Sequence, residues 1–216
     1  MSRSTLFDDY ETLKPHIRRI AFESSLHPEY MENGIFSSSH GLLRAIYTIS
    51  VSETVKGIGI CIITEDMLKK WNITPQKLIK DVSDMERERV LLVNHASFDK
   101  NLYYFGKKPV DWDMLCLTST ERQFGASLIL NKAIRQGIGE IVGGHYIVLP
   151  SSIHEVIIIR DTNEELDYFY DMLAEFNANP MIVKPKDVLC NTPFWCSKDG
   201  EMMMDLKLAK EDIEED

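Results

Sequence analysis

The sequence predicts an α+β fold: an antiparallel or mixed sheet built from hairpin-then-helix units, with helices packed on the sheet. Three observations carry this reading. Short β-rich apolar runs come in pairs at three places, within residues 42–64, 113–131 and 146–161. Each pair is followed by a polar capping residue and a helical stretch with apolar residues three and four apart. The connections inside the pairs are short, which forces antiparallel neighbours. A chain of 216 residues, 44 % apolar and 27 % charged, is also large enough to bury a core without disulfides or metal.

The elements follow in order. Residues 10–22 carry apolar side chains at 10, 13, 17, 20 and 21, the spacing of a helix, with Pro15 near its first turn. His27-Pro28 and Asn33-Gly34 are turn signals, and Ser37-Ser38-Ser39-His40 reads as a polar loop or cap cluster. LLRAIYTISV (42–51) and GIGICIIT (57–64) read as a hairpin. Thr64 then caps the helix EDMLKKW, and Thr74-Pro75 opens a second helix with apolar residues at 78, 79, 82 and 85. Residues 90–112 are irregular. Their aromatics, Phe98, Tyr103, Tyr104, Phe105 and Trp112, are expected to pack beneath the segment, with a contact surface as the alternative.

A second hairpin is expected from DMLCLTS (113–119) and ASLILN (126–131), with Asn131 capping the helix that follows and Gly143 ending it. The third comes from YIVLP and HEVIIIRD, followed by a helix with an apolar stripe at 166, 169, 172, 173 and 176. The organisation predicted is an N-terminal helical segment over 1–40 packed on the core, an α+β core domain over 41–197, and an acidic C-terminal tail over 198–216.

Charge narrows the classes of partner. The net charge is −10, and the tail holds seven acids against two lysines. Direct nucleic-acid binding is disfavoured, because it rests on clustered Lys and Arg. No apolar run approaches the ~18–20 residues of a membrane span, and the first sixteen residues lack a signal-like apolar core, so a cytoplasmic protein is expected. Cys61, Cys116, Cys190 and Cys196 are scattered without zinc spacing and read as reduced, buried thiols. Neither a metal nor a cofactor is expected.

The stretch GGHYIVLPSSIHEVIIIRDT (143–162) concentrates the chemistry. The candidate binding residues are Ser151, Ser152, His154 and Glu155, with His145 at the start of the first strand. A catalytic triad is disfavoured, because a relay needs side chains converging from separate elements, and no nucleophile elbow precedes a helix. His145 and His154 facing each other across the hairpin would suit a metal only with a further ligand. The structural alternative is that Pro150 and the serines build the turn.

VLPSSIHEVII (148–158) resembles the signature of the bacterial Domain of Unknown Function 5688 family, in which an LPSSIHE block precedes an apolar strand. ITEDMLKKWNITPQKLIKD (63–81), LTSTERQFGASLIL (117–130) and GLLRAIYTISV (41–51) are similar to that family's other blocks. The likeness spans roughly residues 40–190, with a weaker extension back to about residue 12, and implies a member shortened at the N-terminus. Met85-Glu86-Arg87, Ser119 and Cys190-Asn191-Thr192 depart from the family's pattern. The resemblance implies no activity; it implies a role between a bacterial host and a mobile element. The function expected is a non-catalytic protein-binding or regulatory factor, in its sharper form an acidic inhibitor. The alternatives are a small hydrolase or ligand-binding enzyme centred on the 145–155 hairpin, and a homo-oligomeric scaffold.

Overall fold

A computed structural model describes residues 9–54, 57–94, 102–103, 114–161 and 165–214. Helix α1 (Tyr10–Leu13) is capped by Asp9, which accepts the Glu11 N–H, and a 3-10 turn (Lys14–His16) holding Pro15 follows it. Strand β1 (Ile17–Glu23) comes next. The helix expected over 10–22 is thus corrected: it stops at Leu13. Residues 17, 20, 21 and 22 are all fully buried. Burial on both faces makes an apolar run look the same as a helix or a strand, and pairing with a neighbour decides.

Ser37–His40 is strand β2, which corrects the polar loop or cap expected there. Strand β3 (Leu43–Thr54) is the spine of the first sheet. One of its edges pairs with β1, from Ile17 opposite Ile49 to Glu23 opposite Leu43. The other takes β2 over its first half and β4 (Gly57–Ile62) over its second.

Two capped helices cover part of one face. In α2 (Glu65–Trp71) the Thr64 hydroxyl accepts the Met67 N–H, and Asn72 ends the helix in the left-handed region at φ 53. In α3 (Pro75–Glu86) Thr74 does the same for Lys77, with Pro75 in the first turn. Leu68, Trp71, Leu78 and Val82 bury against Ile17, Tyr47 and Ile49.

The second sheet holds β5 (Val90–Asn94), β6 (Leu102–Tyr103), β7 (Met114–Ser119), β8 (Tyr146–Leu149), β9 (Glu155–Arg160), β10 (Phe194–Cys196) and β11 (Met203–Asp205). Their order is β11-β10-β8-β9-β7-β5-β6, antiparallel throughout. Phe98, Tyr104, Phe105 and Trp112 lie outside the described residues.

The hairpin expected over 113–131 is corrected. Only its first half is a strand; Gly125–Leu130 is a 3-10 helix, and all six of its residues are buried. It packs with helix α4 (Lys132–Val142) between the two sheets, bringing Leu128, Ile129, Ile134 and Ile138 against Ala21, Leu43 and Ala45 of the first and Val148, Val156 and Ile158 of the second. Asn131 caps α4 and Gly143, at φ 82, ends it. The opposite face of the second sheet is covered by α5 (Leu166–Ala178) and α6 (Leu206–Glu214).

The last of these lies in the acidic C-terminal tail. Residues 203–205 pair with β10, and α6 buries Leu206 and Ala209 beside Ile147, Ile159 and Trp195. Lys210 reaches Asp161 at 3.3 Å, and the Tyr170 hydroxyl donates to Asp205 at 3.1 Å. An i, i+3 apolar pair is enough to dock a short helix that its acidic composition would leave in water. The architecture is α+β, two antiparallel sheets with helices between and outside them.

Candidate functional site

The five candidate residues do not form one site. Tyr146 pairs with Arg160 and Leu149 with Ile157, so His145 lies at the open end of the β8–β9 hairpin and residues 150–154 at its turn. His145 Nδ1 accepts the Lys198 N–H at 3.1 Å, and its ring stacks on Trp195 with centroids 4.7 Å apart. It lines an open groove of about 410 Å³ with Gln136, Glu140, Ser197, Lys198 and Asp199. Asp199 is held below the usual carboxylate range, chiefly by the Ser197 hydroxyl.

At the turn, Ser151 and Ser152 are buried. Ser152 Oγ accepts the His154 N–H at 3.1 Å rather than meeting the imidazole. Leu189 donates to the Ser151 carbonyl and Cys190 to that of Pro150, and Ile153 donates to that of Asp187. His154 faces the other way. Its carbonyl accepts the Gly125 N–H at 2.9 Å and the Thr118 hydroxyl at 2.9 Å, while Nδ1 accepts the Phe124 N–H at 3.2 Å. Nε2 therefore carries the proton of the neutral ring and looks toward Asp187 Oδ1, 3.8 Å away. The nucleophile–base contact that hydrolysis requires is spent on the backbone at both ends.

This turn is a junction. It joins β7 and the 3-10 helix on one side to residues 187–190 on the other, and the latter reach the first sheet. Glu23 donates to the Leu189 carbonyl at 3.3 Å, and buried His27 lies 2.7 Å from that of Val188 through Nε2. The connection 120–124 is strained to fit: Arg122 and Phe124 both adopt φ 53, at a cost of about 1 kcal/mol or more each. Ser119 Oγ holds it by donating to the Gln123 carbonyl and accepting the Gln123 N–H. Phe124 packs on Ile20, Phe22 and Ile46 of the first sheet. Ser152→Ala removes the acceptor for the His154 amide. It is expected to lower the unfolding free energy in urea by about 1 kcal/mol; an unchanged midpoint would deny the turn this role.

Glu155 opens β9 opposite Thr118. Burial pushes the Cys116 thiol far above its ordinary range, and the Glu155 carboxylate adds to the effect. Cys190 and Cys196 are pushed up to about 12, again mainly by burial. These thiols are packing groups, not nucleophiles. Among the described residues no cluster of three or more His, Cys, Asp or Glu could hold a metal ion. No helix among them is long and apolar enough to cross a membrane.

The sequence reading missed the most buried charges. Arg19 Nε and Nη2 donate to the two Glu86 carboxylate oxygens at 3.0 and 2.5 Å, and Asn131 Nδ2 donates to one of them at 3.2 Å. Burial raises the Glu86 carboxyl, while Arg19 and Asn131 pull it down. The signal available was an arginine inside the apolar run IRRIAFE; its partner lies 67 residues away.

No curated protein and no solved structure matches this chain. A family model described as a family of unknown function (DUF5688) matches residues 2–197. That span reaches past both ends of the segment 40–190 on which the resemblance rested, and it contains the junction, the first sheet and all of the second except β11. The chain belongs to the DUF5688 family.

Proposed function

We propose that this protein is a non-catalytic binding factor that acts in the cytoplasm by docking on another protein. The observation that carries the reading is the turn after α5. Met181 is 92 % exposed and Ile182 56 %, yet the turn is ordered from within. Asn179 accepts the Met181 N–H through Oδ1 at 3.0 Å and the Ile182 and Val183 amides through its carbonyl. Val183, next in line, is buried and anchors it. Because the turn's backbone is already hydrogen-bonded, inserting these two apolar side chains into a partner's pocket costs little backbone entropy.

The partner's chemistry follows from the helix leading into the turn. The outer face of α5 exposes Asp167, Tyr168, Asp171 and Glu175. None of the three acids is in an ion pair among the described residues, and α5 has no basic residue. A basic surface around an apolar pocket is the complement. This supports the inhibitory form of the reading, in which acids on a folded helix compete for a host protein's nucleic-acid-binding surface. A mobile-element origin would supply the reason for such an encounter.

Affinity capture of the full chain from its native host, read by mass spectrometry, tests this. A partner retained by the wild type and by Ser152→Ala/His154→Ala, and lost with Met181→Asp/Ile182→Asp, is the expected result. Equal recovery by all three would move the interface elsewhere. A partner lost only with the serine and histidine changes would return the function to the hairpin turn.

A further inference from the structure

Strand β4 presents an open sheet edge. It pairs with β3 on one side, and no described residue pairs with its other side. The remaining edges are short or engaged. β6 has two residues, β11 three and β2 four. Along β1, Arg89 donates to the Ile17 carbonyl at 3.1 Å, and the Glu23 N–H donates to that of Leu189 at 3.3 Å. An edge strand is ordinarily protected by a charge or a proline, and GIGICI has neither.

The direction of the open groups follows from the register. The Ile63 N–H donates to the Tyr47 carbonyl at 2.8 Å, so odd-numbered residues of β4 bond toward β3. The N–H and C=O groups of Ile58, Ile60 and Ile62 therefore point away from it. Among the described residues their one partner on that side is the Cys61 thiol, 3.8 Å from the Ile62 carbonyl. Gly59 and Ile60 are exposed, Ile60 at 39 %. Charge selects what can approach. Two copies of a chain carrying −10 repel each other over most of their surfaces. The uncharged β4 can lie against itself without setting like charges opposite one another.

We propose that β4 pairs with β4 of a second copy of this chain across a two-fold axis, joining the two first sheets into one antiparallel sheet. A two-fold axis runs the strand antiparallel to itself, and only even-numbered residues can then bond one another. Centring the axis on Ile60 pairs it with its own copy and pairs Ile58 with Ile62 of the second copy, so every open group is used. Gly59 then stands opposite Cys61 of the second copy in a non-hydrogen-bonded pair. A foreign strand would need the same neutral, apolar pattern; the second copy has it by symmetry. The contact is isologous, so it consumes the edge and stops at two chains. It is separate from the Met181 turn and stands without the protein-docking reading.

Sedimentation velocity of the purified full chain over a range of concentrations tests this. One strand pair buries less than the ~1,600 Å² of a standard interface. The expected result is therefore a monomer–dimer equilibrium with a dissociation constant on the order of 10 µM, tightening as sodium chloride screens the like net charges. Ile60→Lys sets two ammonium groups opposite each other and should weaken the dimer about tenfold or more. Ile60→Pro removes an N–H that β3 does not use, so it should abolish the dimer and leave the monomer folded. Met181→Asp/Ile182→Asp should dimerise as the wild type does. Gly59→Cys should be trapped as a disulfide dimer through Cys61 of the second copy when diamide takes up the two thiol hydrogens. A chain monomeric at every concentration, a dimer that survives Ile60→Pro or is lost with the Met181 and Ile182 changes, or a Gly59→Cys dimer that does not crosslink would overturn the proposal.

Discussion

Glu86→Ala is expected to lower the unfolding free energy by about 3–5 kcal/mol. The change leaves the Arg19 guanidinium, 1 % exposed at its side chain, without the carboxylate that takes two of its donors. It also strips an acceptor from Asn131, which caps α4 through the Ala133 N–H and donates to the Ser83 carbonyl at 2.8 Å. One residue thus ties β1 of the first sheet to α3 and to the N-terminus of α4. The loss reflects a stranded charge more than the net worth of the pair, so the double change Arg19→Met/Glu86→Leu should recover most of it. Urea unfolding of the two single variants and the double measures this. A Glu86→Ala variant within about 1 kcal/mol of the wild type would mean that water reaches Arg19.

Gly125→Ala is expected to be comparably severe. A Cβ at this position would lie within 3 Å of β7 backbone, 2.6 Å from Thr118 Cα and closer still to the Ser119 nitrogen. Backbone cannot swing aside as a side chain does, so the 3-10 helix must move off the strand. That breaks the Gly125 N–H bond to the His154 carbonyl and withdraws Phe124 from the first sheet. Overpacking of this kind costs on the order of 3 kcal/mol or more. Gly143→Ala is the control. Unlike Gly125 it is left-handed, at φ 82, but an added Cβ would meet nothing within 4 Å, and the change should cost about 1 kcal/mol. A Gly125→Ala variant that melts no lower than Gly143→Ala would show that the 3-10 helix can shift off β7 at little cost and would deny the close approach this importance.

The two family-like blocks LTSTERQFGASLIL and VLPSSIHEVII meet at this glycine. As sequence they invited a reading as chemistry, since serine, histidine and glutamate stand within six residues. In the fold their polar atoms close a turn, and the resemblance marks a place where four chain segments are stitched together. His145 was grouped with them by proximity in sequence, although the four residues of β8 carry it to the far end of the hairpin. The buried cluster of Arg19, Glu86 and Asn131 could not be found this way, because its members come from β1, α3 and the cap of α4.

Periodicity and capping are local properties, and the sequence alone determined what depends on them. The β3–β4 and β8–β9 hairpins, the caps Thr64, Thr74 and Asn131, the stop at Gly143 and the buried stripe of α5 all rest on residues within a turn or two of one another. Burial by a distant partner decided the rest. IRRIAFE became a strand because β3 pairs with it and Glu86 neutralises its arginine. ASLILN became a 3-10 helix because Gly125 lets it lie against β7 between the sheets. The acidic C-terminus became a docked helix because Leu206 and Ala209 meet an apolar face already built by β8, β9 and β10. Each of these outcomes depends on the free energy of removing a particular surface from water, and that surface exists only once the chain has folded.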